Sequence, residues 1–554
     1  MLDLLRFTAL GTAWLAAQAP AYLAFRRALE RPEAAQEKRL RAILRANTAS
    51  DYGRACGFDR IGTIREYQDA LPIMAPPDLA PWTEAIAAGL PRVLTTEPVL
   101  AFETTGGSSG EARLIPYTRS LLREFQQALG AWMIDLHLHR PGLSSGGAYW
   151  SVSPPAAARE ITAGGIRVGL EHDIEYFPRA ARWALARLML APAELAEIGD
   201  VATSRYVTLR FLAATPHLTF VSVWNPTFLT LLIDALGEWA PAIVDDIERG
   251  RLSAPAALDP ALARRLESRL RRDPRRPGAL RARLRETGRL RPSDVWPRLR
   301  LISCWTSAAA ARFVPEVIAR FPGVEIQGKG LLATEGVVSI PLVGHPGAAL
   351  AVTSHVYEFG DPDAPSSRPR LVHELEPGRT YTVIVTTGGG LYRYALGDLV
   401  RVVGHVGRTP LVEFVGRTGN VSDLCGEKLA EPHVRTALET AASMLGLGAP
   451  FLMLAPEWGP PPHYTVFAGA ADLDPARLRR LTVMVDGELS RNPSYAWCRT
   501  LGQLGPVRGC RVGRNAAETY VARCAELGQR TGVVKPTYLH TVPGWTDVMG
   551  GELV

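Results

Sequence analysis

Apolar positions recur along this chain with two different periods, and the change from one to the other divides it. In residues 34–48, AAQEKRLRAILRANT, Leu40, Ile43 and Leu44 fall at i, i+3 and i+4. That spacing places all three on one face of an amphipathic helix. A loop with a glycine break, SDYGRACGF, follows, and a short helix is predicted over 64–70. Residues 90–106, LPRVLTTEPVLAFETTG, read as strand-like, and 118–138 read as helix. Continuous apolar runs at 146–153, 217–225 and 298–306 predict buried strands. Helices are expected at 228–239, through the basic stretch 240–298, and after the third buried strand. Residues 324–342 read as strand, turn and strand. Apolar strands alternating with helices argue for α/β layers.

From residue 349 the period shortens to two. ALAVTSHVYEFGD, RLVHELEPGRTYTVIVTT and LYRYALGDLVRVVGHVGRTPLVEFVGR alternate between glycine turns, so β-structure is expected to dominate. The Pro/Ser stretch at 361–369 reads as a surface loop. A new unit begins around Arg417. It holds a helix from about Glu431, strands FLMLAP and YTVFAG, and a helix over 475–491. A strand near GPVRGCRVG, a helix near 516–527 and an irregular tail complete it. This order predicts a separate small α+β domain, and hence a division into 1–416 and 417–554.

Composition narrows the function classes. A chain of 554 residues exceeds one hydrophobic core. Its net charge of +7, from 62 basic against 55 acidic residues, is small for that length. Much of the excess lies in 264–298, with no aromatic residue among the arginines before Trp296. Base stacking therefore lacks a platform, and a solvated helical face is expected rather than a nucleic-acid partner. Cysteines at 56, 304, 425, 498, 510 and 524 show no C-x-x-C spacing, so they read as reduced thiols of a cytoplasmic protein. Residues 4–25 are apolar, but Arg6, Gln18 and Pro20 interrupt them. They fall short of the roughly 20 uninterrupted apolar residues that a membrane span needs. A helix packed on the body is expected.

Candidate chemistry lies in five segments. The first is FETTGGSSGEARLIPYT, 102–118, placed between a strand and a helix. Glycines permit close backbone approach, and successive N–H groups with Thr and Ser hydroxyls can cradle an anion. A flexible surface loop has the same composition. The second is Thr334-Glu335-Gly336, where a carboxylate beside a hydroxyl in a turn suits Mg²⁺ or a nucleotide; a capped turn reads alike. The third is YRYALGD, where Asp398 can hold two ribose hydroxyls and Arg393 and Arg401 can meet acidic groups. An ordinary hairpin would look similar. The fourth runs from Gly416-Arg417 to Gly426-Glu427-Lys428, a plausible hinge. The fifth is GQRTGVVKP, in which Lys535 is either a solvated charge or a cation that stabilises a leaving group.

These five segments, in this order, resemble the adenylate-forming superfamily. The chain is most similar there to the Gretchen Hagen type, the auxin-responsive acyl-acid amido synthetases and their bacterial relatives. ILRANTASDYGRACGF, the Gly/Ser loop, LLATEGVVSIPL, HVYEFGD, YRYALGDLVRVVG, VDGELSRNPSYAWCR and Lys535-Pro536 carry the resemblance over residues 34–538. It implies a large N-terminal domain of α/β layers with a β-barrel-like part, and a small mobile C-terminal lid. It implies an enzyme that forms acyl-AMP and pyrophosphate from a carboxylic acid and ATP, then passes the acyl group to an amine or amino acid; a monomer is expected rather than an oligomer. Delivery to a CoA or carrier thiol, and nucleotide binding without ligation, are the alternatives. By the same resemblance, Thr105, Gly106, Ser108, Ser109 and Gly110 hold phosphates. Thr334 and Glu335 meet the α-phosphate and Mg²⁺, Asp398 the ribose, and Arg417 the ribose and hinge. Lys428 meets nucleotide or second substrate, and Lys535 the transition state. Arg113 stands where the family loop ends in lysine, and Gly107 where it often carries a hydroxyl. Trp224, Trp305 and Tyr357 are the expected walls of the acid pocket, suited to a flat aryl acid without excluding an aliphatic one.

Overall fold

The computed structural model describes residues 2–106, 112–151, 160–169, 179–270, 275–447, 451–470, 473–513, 515–527 and 537–554. The chain divides into two compact units: Met1–Thr104 with Leu114–Gly416, and Arg417–Val554 grouped with Thr105–Arg113.

Among the described residues, the larger unit holds a four-stranded parallel sheet in the order Gly147–Trp150, Leu218–Ser222, Leu301–Cys304, Glu325–Gly328. Its middle strands are apolar at almost every position because helices cover the sheet, as parallel sheets require. Pro226–Arg249, among the described residues, is the helix long and apolar enough to cross a membrane, but Leu229, Leu232, Leu236, Ile243 and Val244 lie in this core. A seven-stranded antiparallel sheet follows, running from Ser339–Ile340 through Thr409–Arg417 and Tyr394–Val406 to Val356–Gly360 and Arg370–Leu371. Helix Pro32–Asn47 buries Leu40, Ile43 and Leu44, the face read from the sequence. Leu2–Glu30 is one long helix that packs on helix Arg119–His139 and buries Phe7, Trp14 and Phe25.

The smaller unit is an α+β sandwich. Phe451–Glu457 pairs antiparallel with His463–Gly469, which pairs parallel with Arg508–Arg511. Helices Glu431–Met444 and Pro475–Leu489 pack on each other, and the second also packs on Arg508–Arg511.

Four local expectations change. SDYGRACGF, read as a loop, holds the short helix Asp51–Ala55, capped by Ser50, whose hydroxyl accepts from Gly53 N–H. Residues 90–100 form bends and irregular backbone, and the strand begins only at Ala101. Pro91 and Pro98 withhold donors from any ladder there. The Gly/Ser loop joins strand Ala101–Gly106 to strand Ala112–Tyr117, and helix Arg119–His139 starts only after the second strand. The apolar return Leu114-Ile115 is thus sheet, and the helix N-terminus is capped by Thr118, whose hydroxyl accepts from Leu121 N–H. The tail is ordered into helix Trp545–Met549 and strand Glu552–Leu553.

Candidate functional site

Thr334 and Glu335 are the two loop residues of a tight hairpin: Leu332–Ala333 and Gly336–Val337 pair antiparallel around them. Glu335 is 8% exposed, so little water competes for its carboxylate. The turn is held from both sides. The Tyr117 hydroxyl, on the strand leaving the Gly/Ser loop, donates to the Thr334 carbonyl at 2.6 Å. Below, Val337 N–H donates to His355 Nε2 at 3.1 Å, and the Tyr357 hydroxyl donates to the Val337 carbonyl at 2.6 Å. His355 Nε2 is therefore an acceptor, which puts the ring proton on Nδ1. Nδ1 donates to Glu124 Oε2 at 2.6 Å. The other oxygen of Glu124 receives Gly388 N–H at 2.7 Å and the Arg39 guanidinium. Gly336 fits this arrangement because a Cβ there would stand 2.8 Å from His355 Nε2.

Asp398, 5% exposed, lies in the long strand Tyr394–Val406. Opposite it the register slips: Thr382 pairs with Leu399 and Ile384 with Ala395, so Leu396, Gly397 and Asp398 face Val383 alone. Such a bulge re-aims side chains, and Gly397 at φ +76° takes the left-handed turn that it needs. Behind the bulge, Arg393 donates through Nε and Nη2 to buried Glu358 at 2.9–3.2 Å and through Nη1 to the Gln68 carbonyl at 2.9 Å. Arg401 pairs with Glu413 at 2.9 Å. Both arginines meet acidic groups of the protein itself.

Trp224 and Trp305 follow two neighbouring parallel strands, and the structure brings them together. Their ring centroids are 5.9 Å apart, and Trp305 N–H donates to the Trp224 carbonyl at 2.8 Å. Tyr357 belongs to the hairpin's support: its ring is buried and its hydroxyl also reaches the Ala351 carbonyl at 3.1 Å.

Thr105 and Gly106 end strand Ala101–Gly106. Ser108, Ser109, Gly110 and Lys535 lie outside the described residues. Arg417 ends strand Thr409–Arg417, at the point where the two units divide. Within the smaller unit, half-buried Lys428 holds φ +51°, a conformation that costs a side-chain-bearing residue about 1–3 kcal/mol. Its neighbour Glu427 closes that turn by accepting Leu424 N–H at 2.6 Å and Cys425 N–H at 2.7 Å. Burial, reinforced by Asp423, pushes the Glu427 carboxyl up to about 7. Among the described residues no three His, Cys, Asp or Glu side chains gather as a metal cluster.

Sequence reading passed over Glu124, His355 and Glu358. One signal was available for Glu124: it shares the buried stripe Leu121, Phe125 and Ala128 of its helix, where a charge needs a partner.

Residues 22–326 match the model of the GH3 family N-terminal domain, and residues 348–417 match that of the GH3 family central domain. The chain belongs to the GH3 family. Indole-3-acetic acid-amido synthetase GH3.8 of Oryza sativa subsp. indica is 24% identical over 511 residues, 86% of this chain and 83% of that one. Indole-3-acetic acid-amido synthetase GH3.2 of Arabidopsis thaliana is 22% identical over 438 residues, 74% of this chain and 79% of the relative. The solved structure of AtGH3.15 acyl acid amido synthetase in complex with 2,4-DB superposes with a TM-score of 0.66 at 19% identity, covering 97% of this chain and 96% of that one. A second structure, GH3.15 acyl acid amido synthetase, gives 0.62 at 18% identity. At such identities the likeness is one of fold: the adenylate-forming fold, with a large N-terminal and a smaller C-terminal domain. In this GH3 chain the Thr334-Glu335 hairpin and the Asp398 bulge both belong to the larger unit.

Proposed function

We propose that this protein is an ATP-dependent ligase that activates a carboxylic acid as its acyl-AMP, releases pyrophosphate, and transfers the acyl group to an amine, with an amino acid as the expected acceptor. The observation that carries this reading is GH3 family membership over residues 22–326 and 348–417, joined to a buried carboxylate, Glu335, fixed in a hairpin turn. The acid's carboxylate attacks the α-phosphorus of ATP in line, so positioning and charge stabilisation do most of the work.

In this reading Thr105, Gly106, Ser108, Ser109 and Gly110 cradle the phosphates, and Thr334 lies at the α-phosphate. Asp398 takes the ribose hydroxyls, Arg417 serves ribose and hinge, and Lys428 meets nucleotide or acceptor. Lys535 and Glu335 are the residues assigned to catalysis. Trp224 and Trp305 border the acid, whereas Tyr357, expected there from the sequence, braces the hairpin through the Val337 and Ala351 carbonyls instead. Mg²⁺ binds hard oxygen donors and commonly takes one or two carboxylates plus substrate phosphates. A single buried Glu335 with no metal cluster around it, among the described residues, fits an ion carried in with ATP. The ion would neutralise phosphate charge. The six cysteines are free thiols, in keeping with a reducing, cytoplasmic setting, and the working form is taken to be a monomer.

The test offers a broad panel of carboxylic acids with ATP, follows pyrophosphate, then supplies amino acids and CoA separately. An amide with an amino acid supports the reading. A thioester with no amide would move the acceptor to a thiol.

A further inference from the structure

Within the smaller unit, one stretch near the end of the chain is pinned by groups that the ligase reading leaves without a role. Residues 537–540 run beside strand Phe451–Glu457: Leu454 N–H donates to the Tyr538 carbonyl at 2.8 Å, and His540 N–H donates to the Leu454 carbonyl at 2.9 Å. Leu539 is fully buried. The same stretch is gripped by Glu431, the first residue of helix Glu431–Met444. Its Oε1 accepts Tyr538 N–H at 2.9 Å and the Thr537 hydroxyl. Its Oε2 accepts the Asn420 side-chain amide at 3.1 Å, and that amide also donates to Thr537 Oγ1 at 2.9 Å. Glu431 N–H closes the ring by donating to the Asn420 carbonyl at 2.9 Å. Burial alone would raise the Glu431 carboxyl, yet the bonds from Thr537, Asn420 and the backbone hold it below its ordinary range. The carboxylate is therefore ionised at neutral pH, and hydrogen bonds to an ionised acceptor are the strong ones.

Capping alone does not account for this arrangement. A Ser, Thr, Asp or Asn ahead of the helix would satisfy its first N–H groups, but Ala430 stands there and caps nothing with its side chain. The Glu431 carboxylate is committed instead to chain 106 residues away. What it joins is specific. Asn420 comes three residues after Arg417, and Thr537 comes two residues after Lys535, which itself lies outside the described residues. Two residues of chain span at most about 7 Å, so a fixed Thr537 is a short tether for the lysine.

Resting on the ligase reading, in which Lys535 serves acyl-AMP formation, we infer that Glu431, with Asn420 and Thr537, is a positioning residue for that lysine. The clamp fastens the root of the lysine's segment to the chain just beyond Arg417, so both belong to one body of the smaller unit. Glu431 acts through the backbone it holds, and the acyl-transfer step, which does not use Lys535, is independent of it.

The test measures the two half-reactions separately: acid-dependent exchange of pyrophosphate into ATP, and amide formation from a supplied synthetic acyl-adenylate. Glu431→Ala and Thr537→Val are expected to lower the exchange kcat about 10-fold or more, since small misplacements of a reacting group cost orders of magnitude. The KM values for ATP and acid should stay within about twofold, and so should amide formation from the adenylate. Thr537→Ser keeps the hydroxyl and should recover most of the exchange. Thr537→Val is nearly isosteric, which guards against a Glu431→Ala chain that fails to fold. In a Lys535→Ala background, Glu431→Ala should add less than about twofold. Equal losses in both half-reactions, exchange unchanged in Thr537→Val, no recovery in Thr537→Ser, or a full additional loss on top of Lys535→Ala would each overturn the assignment. No exchange by wild type with any acid overturns the ligase reading and this inference together. Exchange that is lost in Lys535→Ala and unchanged in Thr537→Val overturns only the inference.

Discussion

Two regions of the larger unit secure their candidate groups by different physics. Glu335, in its own two-stranded hairpin, and Asp398, in the seven-stranded antiparallel sheet, are backed by buried ion pairs and relays: Glu124 with His355 and Arg39 at the hairpin, Glu358 with Arg393 at the bulge. In the parallel sheet, Trp224 and Trp305 are held by ring packing and one backbone hydrogen bond, and Trp224 is 37% exposed. Buried charges tolerate little change, because removing one partner strands the other in a low-dielectric interior. Ring contacts at a partly open edge can be exchanged at small cost. On the proposed assignment, the difference teaches that nucleotide-side geometry is tied into the fold, whereas acid choice is free to vary on the same scaffold.

Substitutions can break or sharpen that contrast. The largest effect is expected for Glu358→Gln, which unpairs Arg393. The unfolding free energy measured in urea should drop by about 3–5 kcal/mol, and unchanged stability would break the contrast. His355→Ala should follow, leaving Val337 N–H without its acceptor and opening a small cavity, for a loss of about 2–3 kcal/mol. At temperatures where the variant is folded, kcat for pyrophosphate release should fall more than either KM changes, since the hairpin loses its brace. Trp224→Leu should leave stability within about 1 kcal/mol of wild type while raising the KM of aromatic acids several-fold over that of aliphatic ones. A stability loss as large as that of His355→Ala would erase the distinction.

The smallest effect concerns the smaller unit. Glu427 has a folded pKa of about 7, above its ordinary 4.5. The folded state therefore binds the extra proton between those values, so ν_N exceeds ν_U and stability declines as pH rises through that window. That contribution is complete below about pH 4.5 and lost above about pH 7. Comparing thermal midpoints of wild type and Glu427→Gln from pH 4.5 to 8 should show this decline only in wild type. Parallel curves would remove Glu427 as its source.

Much of this architecture was legible from periodicity. Leu40, Ile43 and Leu44 announced their helix, and 64–70 matches helix Ile64–Ala70. The apolar runs around Leu218–Ser222 and Leu301–Cys304 became the buried parallel strands. Helices Pro76–Ala87, Val201–Ala213 and Pro493–Thr500 went unread: prolines crowd the first, the second is buried on nearly all sides, and the third is only two turns long. The Thr334-Glu335 turn and Asp398 were visible as polar residues in apolar surroundings. Their supports were not, because the pairing partners lie far apart along the chain: Glu124 meets His355 across 231 residues, and Glu358 meets Arg393 across 35. Local pattern carries no record of such pairs. Lys329, between Gly328 and Gly330, offered only a single charge in an apolar stretch, and its ring neighbours Trp132 and Trp224 come from two other segments.

The central claim, that this fold makes an acyl-adenylate, is tested most directly by isotope exchange between labelled pyrophosphate and ATP with no acceptor present. The account predicts label in ATP only when a suitable carboxylic acid is added, and loss of that exchange in Lys535→Ala with ATP binding retained. Absence of acid-dependent exchange across a broad acid panel, in protein that binds ATP, would contradict it.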